Sequence, residues 1–261
     1  MSSKIWMVAF VLAFGIATTL MYVNPAEAQG FVEDGLVSYW NFDEIVDETV
    51  KDAVGGHNGT FDGPIEVVDG KYGKALEFDG TGAFVRMADP EAFICNEPFT
   101  WCAWIKTDTG GCIVSKTDGV LDSDVHGAKT FYVDNGMLAL DVGWVGQNSG
   151  TTMVNDGDWH YVAITVEDDA FLFHSDGVDA GQGAMAVSSK AEEGFVITIG
   201  WDPRCGMEFP PFAGIIDEVS VYNRALSADE IEQNFNAGVL DLAVEPADKL
   251  ASTWGAMKAS R

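Results

Sequence analysis

The sequence has few basic residues: 14 Lys and Arg stand against 41 Asp and Glu, which gives a formal net charge of −27. A surface of this sign repels phosphate groups, so the composition argues against a nucleic-acid-binding protein and against a partner of anionic lipids. The 261 residues are 47% hydrophobic and 21% charged, which excludes wholesale disorder and a membrane-embedded protein. The charge suits an exported protein that binds a cation, or whose ligand is neutral or positively charged.

Long hydrophobic runs are also missing, apart from one at the N-terminus. Lys4 precedes the apolar residues 5–23, and small residues surround a cleavage position after Ala28. This arrangement predicts a signal peptide over residues 1–28 and a secreted, periplasmic or cell-surface protein, with no membrane contact after the signal is removed. The alternative is a retained anchor, because the run is nearly long enough to span a bilayer.

Cysteine is scarce, and no Cys-x-x-Cys spacing occurs, which argues against a zinc ribbon and a thioredoxin-like redox site. An even number of cysteines in an exported chain favours structural disulfides. We therefore expect two bridges, with three possible connectivities, among Cys95, Cys102, Cys112 and Cys205.

Long helical patterns are absent between residues 35 and 222, where short alternating runs are separated by turn signals. Asp-Gly occurs seven times and Asn-Gly twice, and both dipeptides suit tight hairpins. Such a pattern indicates an antiparallel β-sandwich. One helix is expected after the last strand, because Ser227 and Glu230 form a capping box and Gly238 is a suitable stop.

Residues 241–261 differ in character, since they carry Lys249, Lys258 and Arg261 and a possible apolar stripe. One interpretation is a tail that docks on a partner. The other, which we favour, is a frayed terminus or a segment packed on its own domain.

Catalytic motifs are missing as well: Gly-x-Ser-x-Gly, His-Glu-x-x-His and a phosphate-binding loop do not occur. Retaining glycoside hydrolysis needs two carboxyl groups about 5 Å apart. The nearest acidic strings begin at Glu44 and Glu167, and neither has the spacing that places two carboxylates in one cleft. His160 is better explained as a packing residue in a strand. The sequence therefore predicts a non-catalytic protein, with a divergent glycoside hydrolase as the least favoured alternative.

Six motifs occur in one order along the chain, and together they resemble the laminin G-like jelly-roll domain of the concanavalin A-like lectin/glucanase superfamily. The resemblance implies an all-β fold over about residues 29–240, with two curved antiparallel sheets packed face to face. It also implies a recognition role without catalysis, and in many members a structural calcium ion. The motifs are Gly35–Glu44, Asn58–Thr60, Gly73–Gly80, Phe99–Lys106, Gly157–Thr165 and Phe212–Ile231.

The resemblance places the calcium ion at Asp43, at a backbone carbonyl near Gly82, and at Asp217. Carboxylates and turn carbonyls are the oxygen ligands that calcium prefers. Asp217 also lies within an apolar strand, where an unpaired carboxylate is costly and a cation would neutralise it. Alternatives are neutralisation by Arg86, a hydrogen-bond network, or acids that simply lie on the surface.

Candidate ligand-binding residues are aromatic side chains in loops, because sugar rings stack on Trp and acids accept sugar hydroxyls. Trp144 is flanked by glycines and polar residues, as an exposed platform would be. Trp201, Asp202 and Arg204 follow in the loop before the last strand. We expect these residues to contact carbohydrate or an extracellular protein ligand, although ordinary packing is the alternative for each Trp. A structural or adhesive protein–protein interaction domain is the alternative function.

Overall fold

The computed structural model describes residues 30–87, 98–121, 126–188, 194–205 and 209–241. The predicted signal peptide, Cys95 and the tail from residue 242 onward lie outside these ranges. None of the helices in the described ranges has both the length and the hydrophobicity that crossing a bilayer requires.

The described residues form sixteen β-strands, all paired antiparallel, and one α-helix near the C-terminal end of the described chain. This architecture confirms the predicted all-β jelly-roll sandwich and the short helix after the last strand. The elements are β1 (Leu36–Trp40), β2 (Ile45–Val46), β3 (Thr49–Val50), β4 (Gly59–Asp62), β5 (Glu66–Asp69), β6 (Lys74–Asp79), β7 (Phe84–Met87), β8 (Phe99–Thr117), β9 (Lys129–Asp134), β10 (Met137–Val142), β11 (Gly146–Met153), β12 (Trp159–Glu167), β13 (Ala170–Ser175), β14 (Val178–Ala184), β15 (Val196–Ile199), β16 (Ala213–Tyr222) and α1 (Ala228–Ala237).

Strand β8 belongs to both layers of the sandwich. Its first part, Phe99–Lys106, pairs with β12 and β16 in sheet A. Its second part, from Gly111 onward, pairs with β9 and β15 in sheet B. Gly110 and Gly111, at φ 135° and 115°, form the bend between the two parts, and a Cβ on Gly111 would lie 2.4 Å from the carbonyl oxygen of Pro211. Only glycine fits this crossing.

The two sheets have different strand orders. Sheet B runs β11-β10-β9-β8-β15-β7-β4-β3-β2. Sheet A runs β14-β13-β12-β8-β16, and β16 then pairs with β1 along one half and with β6 along the other. Strand β5 pairs with the outer side of β6. The side chains between the layers form the main core, which includes Trp101, Ile105, Phe131 and Phe173.

Helix α1 covers the outer face of sheet A. The capping box predicted at Ser227 and Glu230 is present, and the helix ends at Gly238, as expected. The buried Asn234 joins the helix to the rest of the fold: its Oδ1 accepts from the Val32 backbone N–H at 2.8 Å. Both faces of β8 are therefore buried from Phe99 to Ile105, because Cys102 and Trp104 pack under the helix.

The expected disulfide pairing is wrong for two of the four cysteines. Cys102 and Cys112 are free thiols and both are buried. Cys102 lies under α1 in the sheet A part of β8, whereas Cys112 lies beside Phe209 in the sheet B part. Burial raises the pKa of the Cys102 thiol to about 11 and that of Cys112 well above its ordinary value. Such thiols are unreactive packing groups.

Candidate functional site

Trp144 projects into solvent from the turn between β10 and β11. Its side chain is 67% exposed, and its ring stacks on the exposed His126 ring with centroids 5.3 Å apart and planes 26° apart. The backbone of Trp144 has φ 63°, which is unfavourable for a large side chain by about 1–2 kcal/mol. A large aromatic ring is thus held in solvent at an energetic cost, which is typical of ligand-contacting positions.

Backbone hydrogen bonds hold this turn in place. The Val145 N–H donates to the carbonyl of Val142 at 2.8 Å, and the Gly143 N–H donates to the carbonyl of Ala128 at 2.8 Å. The turn is therefore joined both to β10 and to the residues that lead into β9. Trp144 stands on a fixed support, and His126 belongs to the same support.

Further exposed apolar residues belong to the same end of sheet B. The β8–β9 loop and the β10–β11 turn lie at one end, because the four strands are antiparallel neighbours. Val120, Leu121 and Val145 are 55%, 60% and 39% exposed there. We call this group, with His126 and Trp144, the platform end. Grouped exposed apolar side chains mark interaction sites more often than isolated ones do.

Trp201 is half-buried and packs against the fold, unlike the solvent-exposed Trp144. Its indole N–H donates to the Phe209 carbonyl at 3.1 Å, and its ring meets Phe84 edge-on at 6.0 Å. A Cβ on Gly82 would lie 2.9 Å from the Trp201 ring. The structure therefore places Gly82, which the resemblance put near a metal, against Trp201.

Asp202 and Arg204 form a buried ion-pair network. Asp202 is 0% exposed and Arg204 is 3% exposed. Arg204 Nη2 lies 3.0 Å from Asp141 Oδ2 and 3.1 Å from Asp202 Oδ2, and Asp202 also accepts from the Thr130 hydroxyl. This placement differs from the predicted ligand contact. Both side chains fix the loop that follows β15 to β9 and β10, with their polar atoms turned inward.

Asp43 and Asp217 come together where β16 changes partners. Strand β6 pairs with β16 up to Ile216 and β1 pairs with it from Val219, so Asp217 and Glu218 occupy the gap between the two pairings. The loop before β6 fills this gap, since the Tyr72 N–H donates to Asp217 Oδ2 at 3.1 Å.

Asp43 reaches the same loop from the outside. Its Oδ1 accepts from the Lys74 backbone N–H at 2.8 Å, and the side chain is exposed. Phe42, at φ 56° and 1% exposed, turns the backbone so that its own ring enters the core while Asp43 faces the loop. Asp43 and Asp217, two of the three predicted metal residues, are thus close together. The backbone beside them belongs to the loop 70–74, whereas the prediction expected the backbone near Gly82.

The electrostatics of this cluster are unfavourable to negative charge. Burial, and secondarily the charge of Asp43, raises the pKa of Asp217 to about 7. Burial together with the neighbouring Asp217 and Asp43 raises the pKa of Glu218 to about 9, although a hydrogen bond from Tyr39 opposes this shift. Within the described ranges no Lys, Arg or His forms an ion pair with these three acids.

Carboxylates alone do not complete a metal site here. Among the residues that the structure describes, no group of three or more His, Cys, Asp or Glu has the arrangement of a metal site. A hard cation at Asp43 and Asp217 would therefore need backbone carbonyl oxygens from the adjoining loop as well, which calcium accepts readily. Sequence reasoning missed Glu218, whose only signal was its position next to Asp217.

The acids considered for glycoside hydrolysis lie in separate places. Glu44 is exposed beside β2, where its carboxylate pairs with Lys51. Glu167 is the last residue of β12 in sheet A, beside a pocket of about 280 Å³ that also contacts Asp168 and Asp169 in the turn to β13. In that turn the Asp169 carboxylate accepts from the Ser188 N–H at 2.7 Å, which is a loop-capping contact.

His160 is held between two aspartates. Its Nδ1 lies 2.8 Å from Asp176 Oδ2, and its Nε2 lies 3.1 Å from Asp156 Oδ1. The hydrogen bond with Asp176 raises the pKa of His160 to about 9, against an opposing effect of burial and with further help from Asp156. A histidine charged at neutral pH is an ion-pair partner, so the structure agrees with a structural role.

We expect the substitution H160Q to remove a pH-dependent part of the stability. Because the folded pKa of about 9 exceeds the ordinary value of 6.5, charged His160 stabilises the fold fully below about pH 6.5 and loses this effect as the pH rises to 9. The contribution is on the order of 1 kcal/mol, because the site is partly solvated. Urea unfolding at pH 6 and pH 9.5 measures it: the wild type should lose stability across this interval by that much more than H160Q does. Equal losses would contradict the assignment.

Comparisons with known proteins agree with this architecture. A family model described as the concanavalin A-like lectin/glucanases superfamily matches residues 79–232. A search of curated proteins finds no match. Among solved structures, domain 4 of an extracellular arabinanase from Geobacillus stearothermophilus, in complex with arabinotriose, is 21% identical, with a TM-score of 0.58. That match covers 76% of this chain and 96% of the domain.

Two larger proteins contain similar domains. The Trypanosoma rangeli sialidase is 16% identical, with a TM-score of 0.62, over 82% of this chain and 35% of the sialidase. The binding domain of botulinum neurotoxin DC, in complex with a sialylated ligand, is 13% identical, with a TM-score of 0.55, over 78% of this chain and 52% of that domain. At these identities the likeness shows the fold alone. The family model matches more than half of the residues of this chain, and the chain therefore belongs to the concanavalin A-like lectin/glucanase superfamily.

Proposed function

We propose that this chain is an exported carbohydrate-binding module without catalytic activity, and that Trp144 is its stacking platform. The observation that carries the proposal is the 67% exposed indole of Trp144, held at positive φ on a hydrogen-bonded turn. Binding of a sugar to an exposed aromatic face has a small desolvation cost, because the apolar C–H face of the sugar covers the indole while the sugar hydroxyls stay in water.

The relatives support this class of ligand. The arabinanase domain of similar fold was solved with arabinotriose, and the toxin binding domain with a sialylated ligand. Residues 1–28 carry the pattern of an export signal, and extracellular glycans lie where an exported module would meet them.

Calcium is the cofactor that we propose for the acidic cluster. Two observations support a hard cation at this place: Asp217 and Glu218 are buried, and no described basic side chain forms an ion pair with them or with Asp43. Asp43, Asp217 and carbonyl groups of the loop 70–74 would hold the ion, with Glu218 close by. The ion would supply positive charge, and it would tie this loop to β16 as a structural brace.

A structural or adhesive role is the second candidate, and the platform end favours it. Val120, Leu121 and Val145 add apolar surface around Trp144, as a protein interface would require. The two functions differ in what removes binding: a sugar depends chiefly on the one indole, whereas a protein interface also depends on the surrounding aliphatic side chains.

Glycan binding by the W144A variant tests the proposed function. We expect the wild type to bind one or more neutral glycans on a printed array, and W144A to lose at least about tenfold in affinity. The magnitude is taken from the comparable stacking of a nucleobase on an aromatic ring, which contributes about 1–3 kcal/mol. V178A is the matched control, because Val178 is a 63% exposed apolar residue on β14 in the other sheet.

Calorimetry with the glycan that the array identifies provides the affinities. Equal affinities of W144A and the wild type would contradict the platform assignment. Absence of glycan binding by the folded wild type would favour the adhesive alternative.

A further inference from the structure

Several basic residues lie next to the platform end, and most of them are buried. Lys116, Lys129 and Arg204 are 3%, 0% and 3% exposed. Lys116 and Lys129 are paired across β8 and β9 at the strand ends next to the platform. The Lys129 ammonium donates to the Gly127 carbonyl at 3.1 Å, so it serves the loop that carries His126.

The arginine side chains near this end also form hydrogen bonds and ion pairs within the protein. Arg204 is bonded to the buried Asp202 and to Asp141, as described above. Arg86 donates to the Gly119 carbonyl in the β8–β9 loop and lies 3.9 Å from Asp62, although its side chain is 34% exposed. Lys129, Arg204 and Arg86 therefore bond to loops and acids of the protein itself, and Lys116, Lys129 and Arg204 are too buried to meet a ligand.

An anionic ligand is recognised through cationic side chains that reach the protein surface. Carboxylate, sulfate and phosphate groups are recognised by exposed Arg or Lys side chains, in charge-assisted and often bidentate hydrogen bonds. Among the described residues of the platform end, a ligand anion stacked at Trp144 would meet exposed apolar side chains and the His126 ring instead, in the field of a chain with a net charge of −27. Uncompensated desolvation and long-range repulsion both oppose such a complex.

We propose that the platform end selects neutral glycans and rejects glycans that carry carboxylate, sulfate or phosphate groups. This inference rests on the proposed glycan-binding function and adds the ligand class to it. Stacking on Trp144 stabilises the complex with either sugar. The negative charge of the protein opposes binding of the anionic sugar only, so the neutral sugar binds more tightly.

Matched glycan pairs test the selectivity. The probes are array glycans that differ only in a terminal sialic acid or a sulfate group, followed by calorimetry on the best pair at about 20 mM and about 500 mM NaCl. We expect the anionic member to bind at least about tenfold more weakly at low salt, with much of the difference lost at high salt, because salt screens repulsion beyond a few ångströms. The affinity of the neutral member should stay unchanged.

A cation added beside Trp144 tests the local part of the argument. V145K should strengthen binding of the anionic member at low salt by about fivefold and leave the neutral member within about twofold, since Val145 is an exposed neighbour of Trp144. V178K carries the same charge change on β14 of sheet A and should alter neither affinity.

The possible results separate the two claims. Anionic glycans that bind as tightly as their neutral partners at low salt would overturn the selectivity while leaving the glycan platform intact. An equal effect of V145K and V178K would overturn its local origin. If the folded protein binds neither member of any pair, the proposed function fails and the inference fails with it.

Discussion

Addition of 1 mM calcium chloride to the metal-free protein should raise its free energy of unfolding by about 2.7 kcal/mol if the dissociation constant is about 10 µM. The increase is expected because the ion binds only the folded arrangement of Asp43, Asp217 and the loop 70–74. It also compensates buried carboxyl groups that lack a described basic partner. Chemical unfolding with calcium and with EDTA measures the difference directly.

The variant D217N should lose most of this calcium-dependent increase, because it removes a ligand charge at a position that is 0% exposed. E232Q is the control, since it removes one carboxylate from the exposed surface of α1. A calcium effect of the same size in D217N and E232Q would place the ion elsewhere. No calcium effect in the wild type would contradict the calcium proposal while leaving the platform untouched.

Replacement of Arg204 by Met should destabilise the fold by about 3–5 kcal/mol, because the buried Asp202 carboxylate and the nearly buried Asp141 carboxylate would each lose the guanidinium group with which they are paired. The loss also includes the contact of the guanidinium with the Phe209 ring at 5.4 Å. Urea unfolding at neutral pH provides the measurement.

R224M is the matched control for this effect. Arg224 pairs with Glu230 and Asp34, but its side chain is 26% exposed, so its loss should cost about 1 kcal/mol or less. If R204M destabilises the protein no more than R224M does, the buried network is not what holds the loop after β15 in place.

The sheet architecture could largely be predicted from the sequence. The alternation in Phe99–Lys106 puts Trp101 and Ile105 on the same face, because the side chains of a strand alternate between its two faces, and in the structure that face belongs to the main core. The continuation of β8 into sheet B could not be predicted, since it depends on how Gly110 and Gly111 cross the Phe212 backbone. A glycine pair also signals an ordinary turn.

The candidate site was only partly predictable. Trp144 was correctly expected to be exposed, because glycines and polar residues flank it and give it little to pack against. Trp201, Asp202 and Arg204 have a similarly polar neighbourhood in sequence, but the fold buries the two charged residues. Their partners, Thr130 and Asp141, lie more than 60 residues away along the chain. Contacts between residues so far apart in the sequence produce no local sequence pattern from which they could be predicted.

The acidic cluster shows the same limit. The family resemblance pointed to Asp217, and the cost of burying an acid within an apolar strand supported that choice. The part played by the loop 70–74 arises from the partner exchange along β16, which no local pattern encodes. The disulfide expectation failed for a related reason: cysteine number indicates pairing only when the fold brings thiols together, and β8 carries Cys102 and Cys112 into different layers.

The indole N–H signals of the tryptophans that follow the predicted signal peptide offer the most direct test of the platform. In ¹H–¹⁵N spectra recorded during titration with a neutral glycan that the array has identified, the Trp144 signal should change position. The same signal should be absent from the spectrum of the W144F variant, which assigns it. The signals of Trp40, Trp104 and Trp201 should stay in place, because their N–H groups are bonded to the carbonyls of His57, Gly238 and Phe209. A glycan that shifts other indole signals and leaves Trp144 unchanged would contradict the account.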